Sequence, residues 1–66
     1  MFNANALKAE IARNGMTQSS VAKSIGISAN TFSTKMKNGT FGIDEAEAIS
    51  KLLNIGNPGA IFFDQE

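Results

Sequence analysis

The stretch TQSSVAKSIGISANTFSTKMKNG, from Thr17 to Gly39, predicts two short helices joined by a tight turn. Thr17 is placed to cap the first helix, its hydroxyl accepting an amide N–H one turn in that has no other partner. Val21, Ala22 and Ile25 recur at the three-and-four spacing that gathers side chains on one buried stripe. Gly26 follows where a left-handed residue ends a helix without steric cost. Ile27 plugs the corner, and Ser28 is placed to cap the second helix. Ala22, four residues before Gly26, is small enough to let the two helices approach closely. The expectation is a helix-turn-helix over 17–39.

The second of these helices has two distinct faces. Ala29, Phe32 and Met36 form an apolar stripe that must meet a core. Asn30, Ser33, Thr34 and Lys37 fall nearly opposite and offer an amide, two hydroxyls and an ammonium, with no carboxylate among them. Such groups bond to base edges and phosphate oxygens in a major groove. Ser, Thr and Asn are poor helix formers compared with Glu, Lys and Gln, so a face needed only for solvation would use the latter.

The rest of the chain reads as helices around this motif. Ala4 to Asn14 is a first helix, capped by Asn3 or Asn5, with Leu7 and Ile11 inward and Lys8, Glu10 and Arg13 toward solvent. Asn14-Gly15 stops it. Phe41 plugs the short connection after Gly39, and a fourth helix runs from about Ile43 to Asn54. Ala46, Ile49, Leu52 and Leu53 supply its buried face. Asp44, Glu45 and Glu47 crowd its first turns, where carboxylates meet the positive end of the helix dipole. Asn57 and Pro58 open one last turn. The prediction is an all-α, compact bundle of about five short helices forming one domain, 1–66. Its core is Leu7, Ile11, Val21, Ala22, Ile25, Phe32, Met36, Ile49 and Leu52.

Ile61, Phe62 and Phe63 are three large apolar residues in a row, more than one helical turn hides against one core. Two readings stand side by side. In one, Phe41, Ile61, Phe62 and Phe63 form an exposed patch for association with a second copy or a partner. In the other, Ile61 and one Phe close the bottom of the core and the other ring lies on its surface.

Composition narrows the function classes. With 66 residues, no Cys and no His, the chain has no disulfide, no thiolate metal site and no histidine base. No nucleophile–base pair is available from these residues, so an enzyme is the least supported class, and no metal, cofactor or small-molecule substrate is expected. No apolar run approaches a membrane span and no leader pattern is present, which predicts an unprocessed cytoplasmic protein. The net charge is zero, unlike most nucleic-acid binders, but the charges are segregated. Lys23, Lys35 and Lys37 stand without an acid between Met16 and Thr40. Asp44, Glu45, Glu47, Asp64 and Glu66 then face Lys51 alone.

Across nearly its whole length the chain resembles the lambda-repressor and Cro type of helix-turn-helix domain, often called the XRE family. MTQSSVAKSIGISANTFSTKMKNG carries the likeness, with Gln18, Ala22, Gly26, Ile27 and Ser28 at the family's positions. The small size and the FSTKM spacing are similar to Cro-like and repressor-like proteins of temperate phages. The resemblance implies that Gln18 touches the DNA backbone or orients a base-reading side chain. It implies that Ala29, Asn30, Ser33 and Thr34 sit at base-reading positions beside Ser28, and that Lys37 and Asn38 touch phosphates. Position 29 is often a long polar residue in the family, and Ala29 removes that bidentate contact.

The expected function is therefore a small phage-type transcriptional regulator, a repressor in a genetic switch, that binds operator double-stranded DNA as a homodimer. The alternative is a protein-binding modulator on the same fold, a co-repressor or antirepressor contacting a partner phage repressor.

Overall fold

The fold is set by where each helix is stopped, and each stop is visible in the backbone. The structure, a computed structural model, describes residues 2–63; Asp64 and Glu66 lie outside the described residues. Five helices follow in order: α1 (Ala4–Arg13), α2 (Gln18–Ile25), α3 (Ala29–Asn38), α4 (Ile43–Leu53) and α5 (Pro58–Phe62). The described residues contain no strand.

The caps of α1, α2 and α3 are the predicted ones, whereas Asn57, expected to cap α5, makes no side-chain capping bond. Asn3, not Asn5, caps α1, its Oδ1 accepting the Ala6 N–H at 3.0 Å. Thr17 and Ser20 bond reciprocally at the start of α2, each hydroxyl accepting the other's N–H, at 3.1 and 3.0 Å. The Ser28 hydroxyl accepts the Thr31 N–H at 3.1 Å and starts α3. Gly26 has φ +86° and Gly39 φ +68°, values that an L side chain rarely adopts. At Gly39 a second reason applies, because an added Cβ would lie 3.0 Å from Phe2 Cβ. α4 ends at Asn54, itself in the left-handed region at φ +55°.

α2 packs against α3 and α4, and α5 against α4 and α1. The described core comprises Leu7, Ile11, Val21, Ala22, Phe32, Met36, Phe41, Ala46, Ile49, Leu53, Ile61 and Phe62. Of the predicted core, Ile25 and Leu52 are only partly buried and pack on its edge, while Leu53 is wholly inside.

The exposed patch predicted at Phe41, Ile61, Phe62 and Phe63 gives way to the core-closing reading. Phe41, Ile61 and Phe62 are 9%, 6% and 7% exposed, and Phe63 alone of the four is substantially so. The cause lies at the other end of the chain. The Asn3 N–H donates to the Ile61 carbonyl at 2.8 Å, which lays α5 along the start of α1. Phe2 then joins the rings. Phe41 is the hub, with centroids 5.5 Å from Phe2, 5.3 Å from Phe32 and 5.7 Å from Phe62. Edge-to-face and tilted pairs at these distances add to what burial alone contributes.

α1 is also tied to the far end of α4. The Arg13 guanidinium and the Asn14 amide both donate to the Leu53 carbonyl, at 3.3 and 3.0 Å. These donors occupy a carbonyl that the helix end leaves without a backbone partner.

Candidate nucleic-acid interface

α3 is held by its buried stripe and offers the opposite side outward. Phe32 is fully buried and Met36 nearly so, while Asn30, Ser33, Thr34, Lys37 and Asn38 are exposed. Ala29 and Ser28 are exposed at its start, and Gln18 is half-buried at the start of α2.

The predicted site residues divide into three groups along α3. Gln18, Ser33 and Lys37 line one groove of about 460 Å³ between α1, α2 and α3, together with Ala4, Lys8 and Met36. Asn30 and Thr34 line another on the far flank, beside Thr31, Lys35 and Thr40. Ser28 and Ala29 border the hollow at the turn, with Thr17, Ser19 and Lys23. Asn38 lines none of these. Ser28 caps α3 as expected, and its hydroxyl also donates to Thr31 Oγ1 at 2.8 Å. Asn30, Ser33 and Thr34 are exposed on α3 and make no such side-chain bond among the described residues.

The charge pattern also departs from the sequence reading. Lys35 was one of the three motif lysines, yet its ammonium lies 3.1 Å from Glu45 Oε1. That same oxygen accepts the Gly42 N–H at 2.9 Å, the Glu45 half of a capping box at the start of α4. The Gly42 N–H, and after it the Lys35 ammonium, hold the Glu45 carboxyl below its usual range against the opposing effect of burial. Lys35 is thus engaged with α4. Lys8 and Lys37 carry no ion pair among the described residues and share a groove with no carboxylate in its lining. Lys8 was missed in sequence because its place depends on how α1 crosses α3, which no local signal encodes. The Gly42-x-x-Glu45 pattern, by contrast, was a readable clue that Glu45 would turn back toward Lys35.

Two short helices locked at a left-handed glycine, with the second presenting a polar, acid-free face, define a helix-turn-helix DNA-binding fold. The comparison with protein families agrees: residues 6–62 match the Cro/C1-type HTH DNA-binding domain. The chain belongs to that family, one of DNA-binding transcription regulators. Neither a curated protein nor a solved structure matches it. Among the described residues no helix is long and apolar enough to cross a membrane.

Proposed function

We propose that this protein is a small phage-type regulator that represses transcription by seating α3 in the major groove of operator DNA and occluding a promoter. The observation that carries this reading is the outer face of α3. Asn30, Ser33 and Thr34 present an amide and two hydroxyls, flanked by Lys37, with no carboxylate on that face. Asn is suited to bidentate bonding with adenine, and hydroxyls bond to either kind of base pair.

Binding as a homodimer strengthens such a contact by pairing half-sites at high effective concentration. With the terminal rings in the core, support for association moves to the groove between α4 and α5, of about 420 Å³. Ile43 is 75% exposed on its rim and Phe63 44%. Glu47 and Lys51, of opposite charge one turn apart, line the same groove and form no ion pair with each other. A two-fold axis across this face could set each against the other's copy.

A second reading, a modulator that acts by contacting a partner repressor, is favoured by two features: the zero net charge and Ala29 at a position often long and polar in the family. One experiment separates the two. The pure protein is titrated by fluorescence anisotropy against duplex DNA from upstream of its own gene, with and without the regulator encoded beside it. Saturable, sequence-selective binding by the protein alone is expected. Binding only when the second regulator is present would overturn the first reading in favour of the second.

A further inference from the structure

We propose that Asn38–Gly39, at the end of α3, is a self-modification site: Asn38 deamidates without an enzyme, and the carboxylate left behind weakens DNA binding as the protein ages. The loss of binding rests on the DNA-binding reading; the deamidation does not. The sequence holds two Asn-Gly pairs, Asn14–Gly15 and Asn38–Gly39. Glycine carries no side chain to shield its amide nitrogen, so an asparagine before it cyclises more readily than before any other residue. In the step, the Gly39 nitrogen attacks Asn38 Cγ. An N–Cγ bond forms, the Cγ–Nδ2 bond breaks, and Nδ2 leaves as ammonia with the proton that Gly39 gives up. Water then opens the five-membered imide, at one carbonyl to aspartate and at the other to isoaspartate. The net change is one water taken up and one ammonia released.

The structure separates the two pairs. Both glycines follow a helix at φ +68°, and both asparagines are exposed. Both glycine N–H groups are engaged, Gly15 with the Ala12 carbonyl at 2.9 Å and Gly39 with the Lys35 carbonyl at 2.7 Å. Attack therefore requires the last helical turn to open in either place. At Asn14 that opening must also release the side chain. Its Nδ2 donates to the Glu10 carbonyl at 2.8 Å and across to the Leu53 carbonyl at 3.0 Å, where Arg13 donates as well. The Asn38 amide makes no hydrogen bond among the described residues. The Thr40 N–H shares the Lys35 carbonyl at 3.2 Å, so the end of α3 hangs on a single acceptor, and helix ends fray. Once that turn opens, Asn38 Cγ is free to swing onto the nitrogen.

The product changes the helix that the DNA-binding reading depends on. α3 carries no acid, and a carboxylate at position 38 stands at the negative end of its dipole, next to Lys37. With α3 seated in a major groove, that carboxylate meets phosphates of like charge. Isoaspartate adds a second disturbance, because it inserts one extra backbone carbon just before Gly39. That glycine lies against the start of the chain, where an added Cβ would be 3.0 Å from Phe2 Cβ. The lifetime of the unmodified helix end is thus set by how often one turn frays, with water as the only co-reactant.

The test follows the purified protein in warm, mildly alkaline buffer below its melting temperature, with peptide mapping by mass spectrometry to place each amide lost. Asn38 is expected to convert about thirtyfold faster than Asn14, the factor that two further hydrogen bonds impose at their usual net worth. In concentrated urea the two rates should become alike. Equal rates in the folded protein, or an Asn38 that stays intact when folded and converts in urea, overturn the site. Binding is then measured on the upstream duplex and on a random duplex. Asn38→Asp is expected to weaken both by about fivefold at low salt, the effect of one like charge near a phosphate in water, and by less as salt rises. Asn57→Asp, an equal change of net charge at the start of α5, should bind as the unsubstituted protein does. Asn38→Gln, whose longer side chain disfavours the ring, should keep its starting affinity through the same incubation while the unsubstituted protein declines. Parental affinity in Asn38→Asp, or an equal loss in Asn57→Asp, overturns the effect on binding. If the unsubstituted protein binds no duplex, the DNA reading fails and the loss of binding with it, while the conversion of Asn38 is still decided by mass.

Discussion

The motif half and the closing end of this molecule are built by different kinds of information. In α2 and α3 each boundary has its cause within four residues: Thr17 with Ser20, Gly26 at φ +86°, Ser28 with Thr31 and Gly39 at φ +68°. At α5 the Asn57 side chain makes no capping bond, and the helix has only five residues. It is placed by Asn3 and by a ring cluster drawn from positions 2, 32, 41 and 62. Local chemistry decides the first region, and contacts distant in sequence decide the second.

The sharpest way to break that comparison is at neighbouring rings. Phe62→Asp places a carboxylate in the core and is expected to abolish cooperative thermal unfolding, whereas Phe63→Asp should keep the helical circular dichroism of the parent. Equal effects would mean that α5 is not held as described. Next in size is Phe32→Ala, where deleting a fully buried ring should cost roughly 3–5 kcal/mol in chemical denaturation. Much of a small domain's total stability would go with it.

On the outer face of α3 the expected change is in binding and not in stability. Asn30→Ala should weaken binding to the cognate duplex by about 1–3 kcal/mol and relax the preference for it over random DNA, with an unchanged melting temperature. A uniform loss on both duplexes would instead make Asn30 a backbone contact. For a purely local feature, Thr17→Ala should cost about 1 kcal/mol, because it removes the acceptor for the Ser20 N–H.

The smallest effect joins the two regions. The folded-state pKa of Glu45 is lowered, first by the Gly42 N–H and then by Lys35, so its contribution to stability is present above the unfolded value of about 4.3. It is lost as pH falls through the folded value. The gap in denaturation midpoint between the unsubstituted protein and Glu45→Gln should thus be present at neutral pH and close in acid. A gap that persists at low pH would remove the ion pair as its cause.

What could be read in advance follows the same division. The helix-turn-helix, its caps and the outer face of α3 rest on short-range spacing and were legible, but the inner stripe is Phe32 and Met36 alone, because Ala29, expected beside them, is exposed at the first turn of α3. Also legible was the buried face of α4, although Leu53 and not Leu52 lies wholly inside beside Ile49. The fate of Ile61, Phe62 and Phe63 was not, because three apolar residues in one turn show only that some must be buried. Which ones depends on Phe2 and Asn3, and no pattern within the tail refers to them. The candidate site was legible to the same extent: α3 could be read from its own residues, but Lys8 enters it only through the crossing of α1, and Lys35 leaves it only through α4.

The ring cluster also has a consequence for the order in which the chain can fold. Phe41 touches rings contributed from both ends of the described sequence, so the cluster is incomplete until positions 2 and 62 meet. Closing so long a loop is entropically costly, and the reward arrives only once it is closed. α2 and α3, held by neighbours in sequence, can form early as a fluctuating pair. The docking of α1 and α5 is then the late step, and the two ends should lose hydrogen-exchange protection together, at the same denaturant concentration, instead of fraying one by one.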